Sequence, residues 1–277
     1  MVGGGSRDWL AIARSVAECA RAALAGLGST RERGEPRGRG AGGDVSLTVD
    51  AVAEQAALDE LERLGVAASV LSEERGLVSV GGGGRTRIVL DPVDGSLNAK
   101  RGLPFAAISF AVAEGETVNA VHFGYIAELA GDGEWWAQAG GGAFARGVRL
   151  TLGDAPRGEL EVLALECAHP GAVAEQAFAI ASSGAERVRI LGGVAAALCL
   201  LAEGRVDGVV ALRPVRAVDL AAAQLVVREA GGSLDLGPLG LDLPLDARPR
   251  ARLIAARAPA LVARLRPLFW GSAGDRQ

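Results

Sequence analysis

Lysine is almost missing from this chain of 277 residues: Lys100 is the single one, and arginine carries nearly all the positive charge. That scarcity excludes a G-x-x-x-x-G-K-[ST] phosphate loop. Histidine occurs only at His122 and His169, and the three cysteines, Cys19, Cys167 and Cys199, form no C-x-x-C pair. A zinc site of the usual histidine and cysteine kind therefore lacks its donors. No disulfide framework is legible either, which makes a reducing cytoplasm the expected compartment. Long apolar runs are absent as well, since a stretch such as 194–202 falls far short of a membrane span. The opening "MVGGGSRDWL" has no apolar segment after its basic residue, so no signal peptide is expected. The net charge of −4 argues against nucleic acid or an anionic membrane as a partner, because such binding is driven by clustered Lys and Arg.

What the chain does have is apolar bulk, at 49% of residues, and 40 glycines for turns. Apolar spacing predicts a first helix over 9–27 and a second over 50–64. Between them, 29–43 ("STRERGEPRGRGAGG") has no period and reads as a mobile loop. Its Gly38-x-Gly40-x-x-Gly43 spacing matches a dinucleotide fingerprint only formally, because no strand precedes it and no helix follows directly. Short strands are predicted at 69–71, 87–90, 106–113, 118–125 and 134–139, giving a mostly antiparallel sheet in an α+β first half. After about residue 160 the pattern alternates: strand 160–165, helix 172–182, strand 187–191, helix 194–203, strand 207–212, helix 219–230, then strands near 233 and 252–256. That texture suits an α/β half with a largely parallel sheet. Two halves are expected, 1–155 and 156–277, with the boundary at Asp154-Ala155-Pro156.

Carboxylates gather at the ends of these elements. Glu73 and Glu74 close one apolar strand, Asp91 and Asp94 close another, and Asp50 and Asp219 stand where helices begin. Asp50 and Asp219 could be plain helix caps, and Glu73 and Glu74 plain surface charge. In "IVLDPVDGSLN", however, Asp91 and Asp94 cannot both cap one helix. With Glu73 and Asp219 they would supply the hard oxygen ligands that Mg²⁺ prefers. Pro92 is expected to stop the strand, Gly95 to permit a tight bend, and Gly95, Ser96 and Leu97 to offer free amides to a phosphate. Carboxylate-held cations beside an anion-binding turn point to phosphoryl transfer, with water as acceptor.

"LSEERG", "DPVDGSLN" and "VDLAAAQLVVREAGG", together with the glycine-rich "GGGAFARG", resemble the motifs of the inositol monophosphatase family. That family belongs to the Mg²⁺-dependent, lithium-sensitive sugar phosphatases, and the match spans roughly residues 10–260. The stretch from Arg187 to Ala222 is similar to the archaeal-type dual enzymes acting on inositol monophosphate and fructose 1,6-bisphosphate. The resemblance implies a layered αβαβα sandwich, a homodimer and two or three Mg²⁺ ions per subunit. It implies that Glu73, Asp91 and the Val93 carbonyl hold a first ion, and Asp91, Asp94 and Asp219 a second, roughly 3.5–4 Å apart. A third, weaker ion would rest mainly on Glu73. Ser96, hydrogen-bonded to Asp50, would orient the attacking water and help take its proton, while the Gly95 and Ser96 amides would hold the phosphate. The loop 29–43 would be the family's mobile catalytic loop.

Three departures bear on specificity. Ser96 replaces the threonine of many members and keeps the hydroxyl. The glutamate that contacts inositol hydroxyls, several residues before the last aspartate, is missing from Leu212-Arg213-Pro214-Val215-Arg216. Arg213 and Arg216, with Arg189, become candidate contacts to a second phosphate, though each is equally readable as a solvated or paired arginine. Arg146 stands where the family usually has asparagine. Competing expectations are a phosphatase acting on 3′-phosphoadenosine phosphates or histidinol phosphate, and a catalytically inactive binding protein.

Overall fold

The computed structural model describes residues 7–153 and 160–271; the predicted boundary at 154–156 lies outside them. The chain opens with helix Trp9–Ala25, capped by Asp8, whose carboxylate accepts the Ala11 amide at 3.0 Å. Its buried residues Ala13, Val16, Ala17 and Ala20 follow helical spacing and pack with helix Thr48–Arg63 onto one face of a sheet.

That sheet has eight strands in the order Val148–Leu150, Gly142–Ala145, Glu134–Gln138, Val121–Glu128, Ala107–Ala113, Arg87–Asp94, Ala68–Ser72, Gly76–Val80. Every neighbouring pair is antiparallel except one: Ala68–Ser72 runs parallel to Arg87–Asp94. The exception positions the site, because it brings the carboxyl ends of two acid-terminated strands together. The Glu73 amide donates to the Leu90 carbonyl at 3.2 Å.

A second sheet of five strands takes the order Ala185–Arg189, Leu160–Glu166, Gly208–Ala211, Ile254–Ala256, Ser233–Asp235. The first two pairings are parallel and the last two antiparallel, so Ile254–Ala256 alone runs against the other four strands and the sheet is largely parallel in strand direction, as expected. Helices Val194–Ala202 and Ala217–Glu229 lie between the sheets. Every residue of the former is buried, which is why it reads as a continuous apolar run rather than a stripe. Ala217–Glu229 approaches so closely that a Cβ on Gly124 would come within 2.6 Å of the Ala222 carbonyl. Helix Pro259–Trp270 covers the outer face through Leu261, Leu265 and Phe269. The result is five layers: helices, sheet, helices, sheet, helices.

Three sequence expectations change. Pro92 does not stop its strand: Arg87–Asp94 continues to Asp94, with the register shifting between Asp91 and Asp94. Such a bulge tolerates a proline, because no ladder amide is required there. The segment 29–43 is not structureless. Ser29 caps the short helix Thr30–Arg33, accepting the Glu32 amide at 3.2 Å, and Pro36–Arg39 pairs antiparallel with Val45–Leu47. Gly38, Gly40 and Gly43 sit on that hairpin and not at a strand-to-helix turn. The helix expected over 172–182 breaks at Gln176 into Pro170–Glu175 and Ala177–Ser182.

Candidate active site

The bulged end of Arg87–Asp94 carries Asp91 and Asp94, both buried. The end of its parallel neighbour delivers Glu73, and the first turn of Ala217–Glu229 delivers Asp219. One carboxylate oxygen from each of Glu73, Asp91 and Asp219 lies within 4.8 Å of the others. Asp91 Oδ1 also accepts the Val93 amide at 3.0 Å, which fixes the carboxylate across the bulge. Asp94 faces a different way: it accepts the amides of Val194, Ala195 and Ala196 at 2.9, 2.8 and 3.3 Å, closing the start of the central helix. It stands outside the trio.

The capping reading of Asp50 and Asp219 is also real. Asp50 Oδ2 accepts the Leu47 amide at 3.0 Å, and Asp219 Oδ2 accepts the Arg216 amide at 2.9 Å. Each cap spends one oxygen, and the other oxygen of Asp219, Oδ1, faces Arg216 Nη2 at 3.0 Å. Asp50 Oδ1 is buried with no hydrogen-bond partner. Ser96 opens the helix Ser96–Arg101 after Gly95, whose φ of 85° is the left-handed conformation the bend demands. The Ser96 hydroxyl donates to the Val93 carbonyl at 3.2 Å rather than to Asp50.

Glu73, Asp91, Asp94, Ser96 and Asp219 line one cleft of about 560 Å³ with Glu166, Cys167, His169 and Gly192, whereas Asp50 lies outside its lining. A wider cleft of about 820 Å³, bordered by Trp9, His122 and Trp136, shares no residue with it and, among the described residues, holds no acid trio. Arg216 is in the acid-lined cleft, bonded to Glu73 and to Asp219 (Nη2 to Oδ1, 3.0 Å). Arg213 is not: it pairs with Glu175 at 2.8 Å beside Trp270. Arg189 is exposed on an edge strand, its guanidinium donating to the Val188 carbonyl at 2.9 Å.

Burial is the leading electrostatic force. It pushes Glu73 up to about 7, against the lowering pull of Arg216 and with help from Asp219. Asp94 is likewise pushed to about 7, the Asp219 charge adding to burial and the three helix amides opposing it. Asp91 is raised well above the ordinary carboxylate range by burial and then by Glu73 and Asp94. Burial also raises Asp50, with the Leu47 amide and the adjacent Ser96 hydroxyl pulling it back. A site that holds so many carboxylates out of water wants positive charge. The three clustered donors are carboxylate oxygens, a set that suits a hard divalent cation.

The family model for the inositol monophosphatase family matches residues 8–267. The chain belongs to the inositol monophosphatase family. Members are metal-dependent phosphatases, and this chain is accordingly a phosphoric monoester hydrolase. It is 34% identical over 259 residues to a fructose-1,6-bisphosphatase/inositol-1-monophosphatase of Methanothermobacter thermautotrophicus, covering 90% of this chain and 91% of that one. A protein of the same description from Archaeoglobus fulgidus is 33% identical over 256 residues, covering 90% and 94%. The solved structure of an inositol monophosphatase–fructose 1,6-bisphosphatase superposes with a TM-score of 0.80 at 26% identity, covering 95% of this chain and all of the other.

Sequence reasoning missed Glu166. This buried acid ends the strand Leu160–Glu166, accepts the Leu191 and Gly192 amides at 3.3 and 3.0 Å, and is pushed up to about 8 by burial and then by Asp94. The signal was the one that marked Glu73, a carboxylate closing an apolar run. Arg146 also gains an account. Its φ of 47° is the left-handed region where asparagine is favoured, and its guanidinium pairs with Glu203 at 3.3 Å.

Proposed function

We propose that the protein uses Mg²⁺ to hydrolyse phosphate monoesters of small polyols and sugars, with inositol monophosphate and fructose 1,6-bisphosphate as substrates. The observation that carries this reading is the Glu73–Asp91–Asp219 trio beside the Gly95–Ser96 turn in one cleft. The names of the archaeal relatives support both substrates.

Bound Mg²⁺, two or three ions, would neutralise phosphoryl charge and acidify the attacking water. Glu73, Asp91 and the Val93 carbonyl would hold the first ion, and Asp91, Asp94 and Asp219 the second, with a weaker third on Glu73. Asp94 would keep one oxygen on the Val194 helix while offering the other. The Gly95 and Ser96 amides hold the phosphate. The Ser96 hydroxyl turns from Val93 toward Asp50, whose raised pKa suits it to take a proton from water through that hydroxyl. Of the three candidate arginines, Arg216 alone lines the cleft, and it is assigned to a second phosphate. The two halves, 1–155 and 156–277, each contribute ligands. Homodimeric assembly is supported by exposed Val188 on the edge strand Ala185–Arg189, and a cytoplasmic setting by three free cysteines.

The test is phosphate release from inositol 1-phosphate, fructose 1,6-bisphosphate, histidinol phosphate and 3′-phosphoadenosine 5′-phosphate, with Mg²⁺ or EDTA. Metal-dependent turnover of the first two is expected. Turnover of only the latter pair would refute the substrate assignment, and turnover of none would make this a binding protein.

A further inference from the structure

Arg216 occupies an unusual position for a substrate-binding arginine. Its guanidinium is largely buried and donates to Glu73 through Nη2 and to Asp219 through Nε and Nη2, with Asp219 contacts of 3.0–3.3 Å. Glu73 and Asp219 are two of the three carboxylates whose oxygens converge within 4.8 Å. The same guanidinium reaches Asp44 of the hairpin loop at 3.4 Å through Nη1. Burial alone would lower its pKa, but Asp219 and Glu73 outweigh that and keep it charged. It is also the only arginine or lysine among the residues lining the cleft.

An Arg-carboxylate fork and a divalent cation compete for the same lone pairs, and two cations crowded onto one acid cluster repel. We infer that Arg216 is the resident counter-cation of the acid cluster, holding Glu73 and Asp219 until divalent metal displaces it and frees it for the substrate's phosphate. The inference rests on the proposed Mg²⁺ chemistry and deepens it. It explains how the buried Asp91 and Asp219 and the partly buried Glu73 can lie so close together, since a buried acid cluster without a partner charge is strongly unfavourable.

The experiment is calorimetric titration of Mg²⁺ into the full-length chain, stripped with EDTA and dialysed, for the wild type, Arg216→Gln and Arg216→Lys. Thermal melts in EDTA accompany each titration. If Arg216 competes with metal, Arg216→Gln binds Mg²⁺ at least tenfold more tightly than the wild type while melting lower in EDTA. Arg216→Lys, which keeps a charge but loses the planar fork, falls between them in affinity. A merely structural arginine gives the opposite sign, because damage to the site weakens metal binding. Equal or weaker Mg²⁺ binding by Arg216→Gln therefore overturns the counter-cation role and leaves the proposed chemistry standing. Absence of Mg²⁺ binding in all three proteins overturns both. Should Arg216→Gln fail to fold, Arg216→Lys decides alone: tighter binding than wild type supports the role, and unchanged binding refutes it.

Discussion

Asp94 accepts the Val194 amide at 2.9 Å across 100 positions of sequence. A single carboxylate thus ends a strand of the first sheet and starts the helix between the sheets. Asp94→Asn preserves the shape but removes the charge and one acceptor facing three helix amides. Under the proposed metal assignment, hydrolysis should fall by about two orders of magnitude or more, because charge neutralisation at the phosphoryl group is lost. Phosphate-release assays beside circular dichroism decide the matter. Retained turnover in a folded variant would remove Asp94 from the metal assignment.

Gly95 should tolerate no side chain. Its φ is +85°, and an added Cβ would meet the Phe105 and Gly192 carbonyls at 2.9 and 3.0 Å. The left-handed conformation alone costs about 1–2 kcal/mol, and both obstacles are backbone. Gly95→Ala should lower the melting temperature by at least ~2 °C and depress turnover as the Gly95–Ser96 amides shift.

Acidity should stabilise the metal-free protein. Burial lifts Glu166 from the ordinary 4.5 to about 8, and Glu73 and Asp94 to about 7. Between the unfolded and folded values the native chain keeps protons that the unfolded chain has released. Stability is therefore fully present below the unfolded values, 3.8 for Asp94 and 4.5 for the two glutamates, and declines as pH rises toward 8. Melting temperatures in EDTA should fall across pH 5–8, and Glu166→Gln should make that slope shallower. A slope unchanged in Glu166→Gln would show that Glu166 titrates alike in both states.

The arginines should separate by substrate. Arg213 is tied to Glu175 outside the cleft, whereas Arg216 lines it. Arg213→Ala should leave the ratio of kcat/KM for fructose 1,6-bisphosphate over inositol 1-phosphate unchanged. Arg216→Ala should lower that ratio, by roughly tenfold for one lost charged hydrogen bond to phosphate.

The site acids were legible in sequence because they stand at element junctions, Glu73, Asp91 and Asp94 at the ends of strands and Asp50 and Asp219 at the starts of helices. Asp91 and Asp94 stood out for that reason. Their orientation was not legible. Nothing local says that Asp94 turns to amides 100 residues later, or that Arg216 reaches Glu73, because both contacts depend on the parallel pairing of two strands and on a helix seated between sheets. The hairpin over 36–47 was hidden by its glycines and charges: its first strand is fully exposed, so it carries no apolar alternation to read. Pro92 misled for the opposite reason, a rule about regular ladders applied at a bulge.

The bond between Asp94 and the Val194 helix also sets a clock. A ribosome adding roughly 5–20 residues per second delivers Val194 about 5–20 s after Asp94. Through that interval the acidic end of the strand has neither its capping amides nor Asp219 and Arg216 beside it. The emerging first half must wait in water for partners not yet made, and the catalytic cleft comes into being only when the last of them, Asp219, has left the exit tunnel.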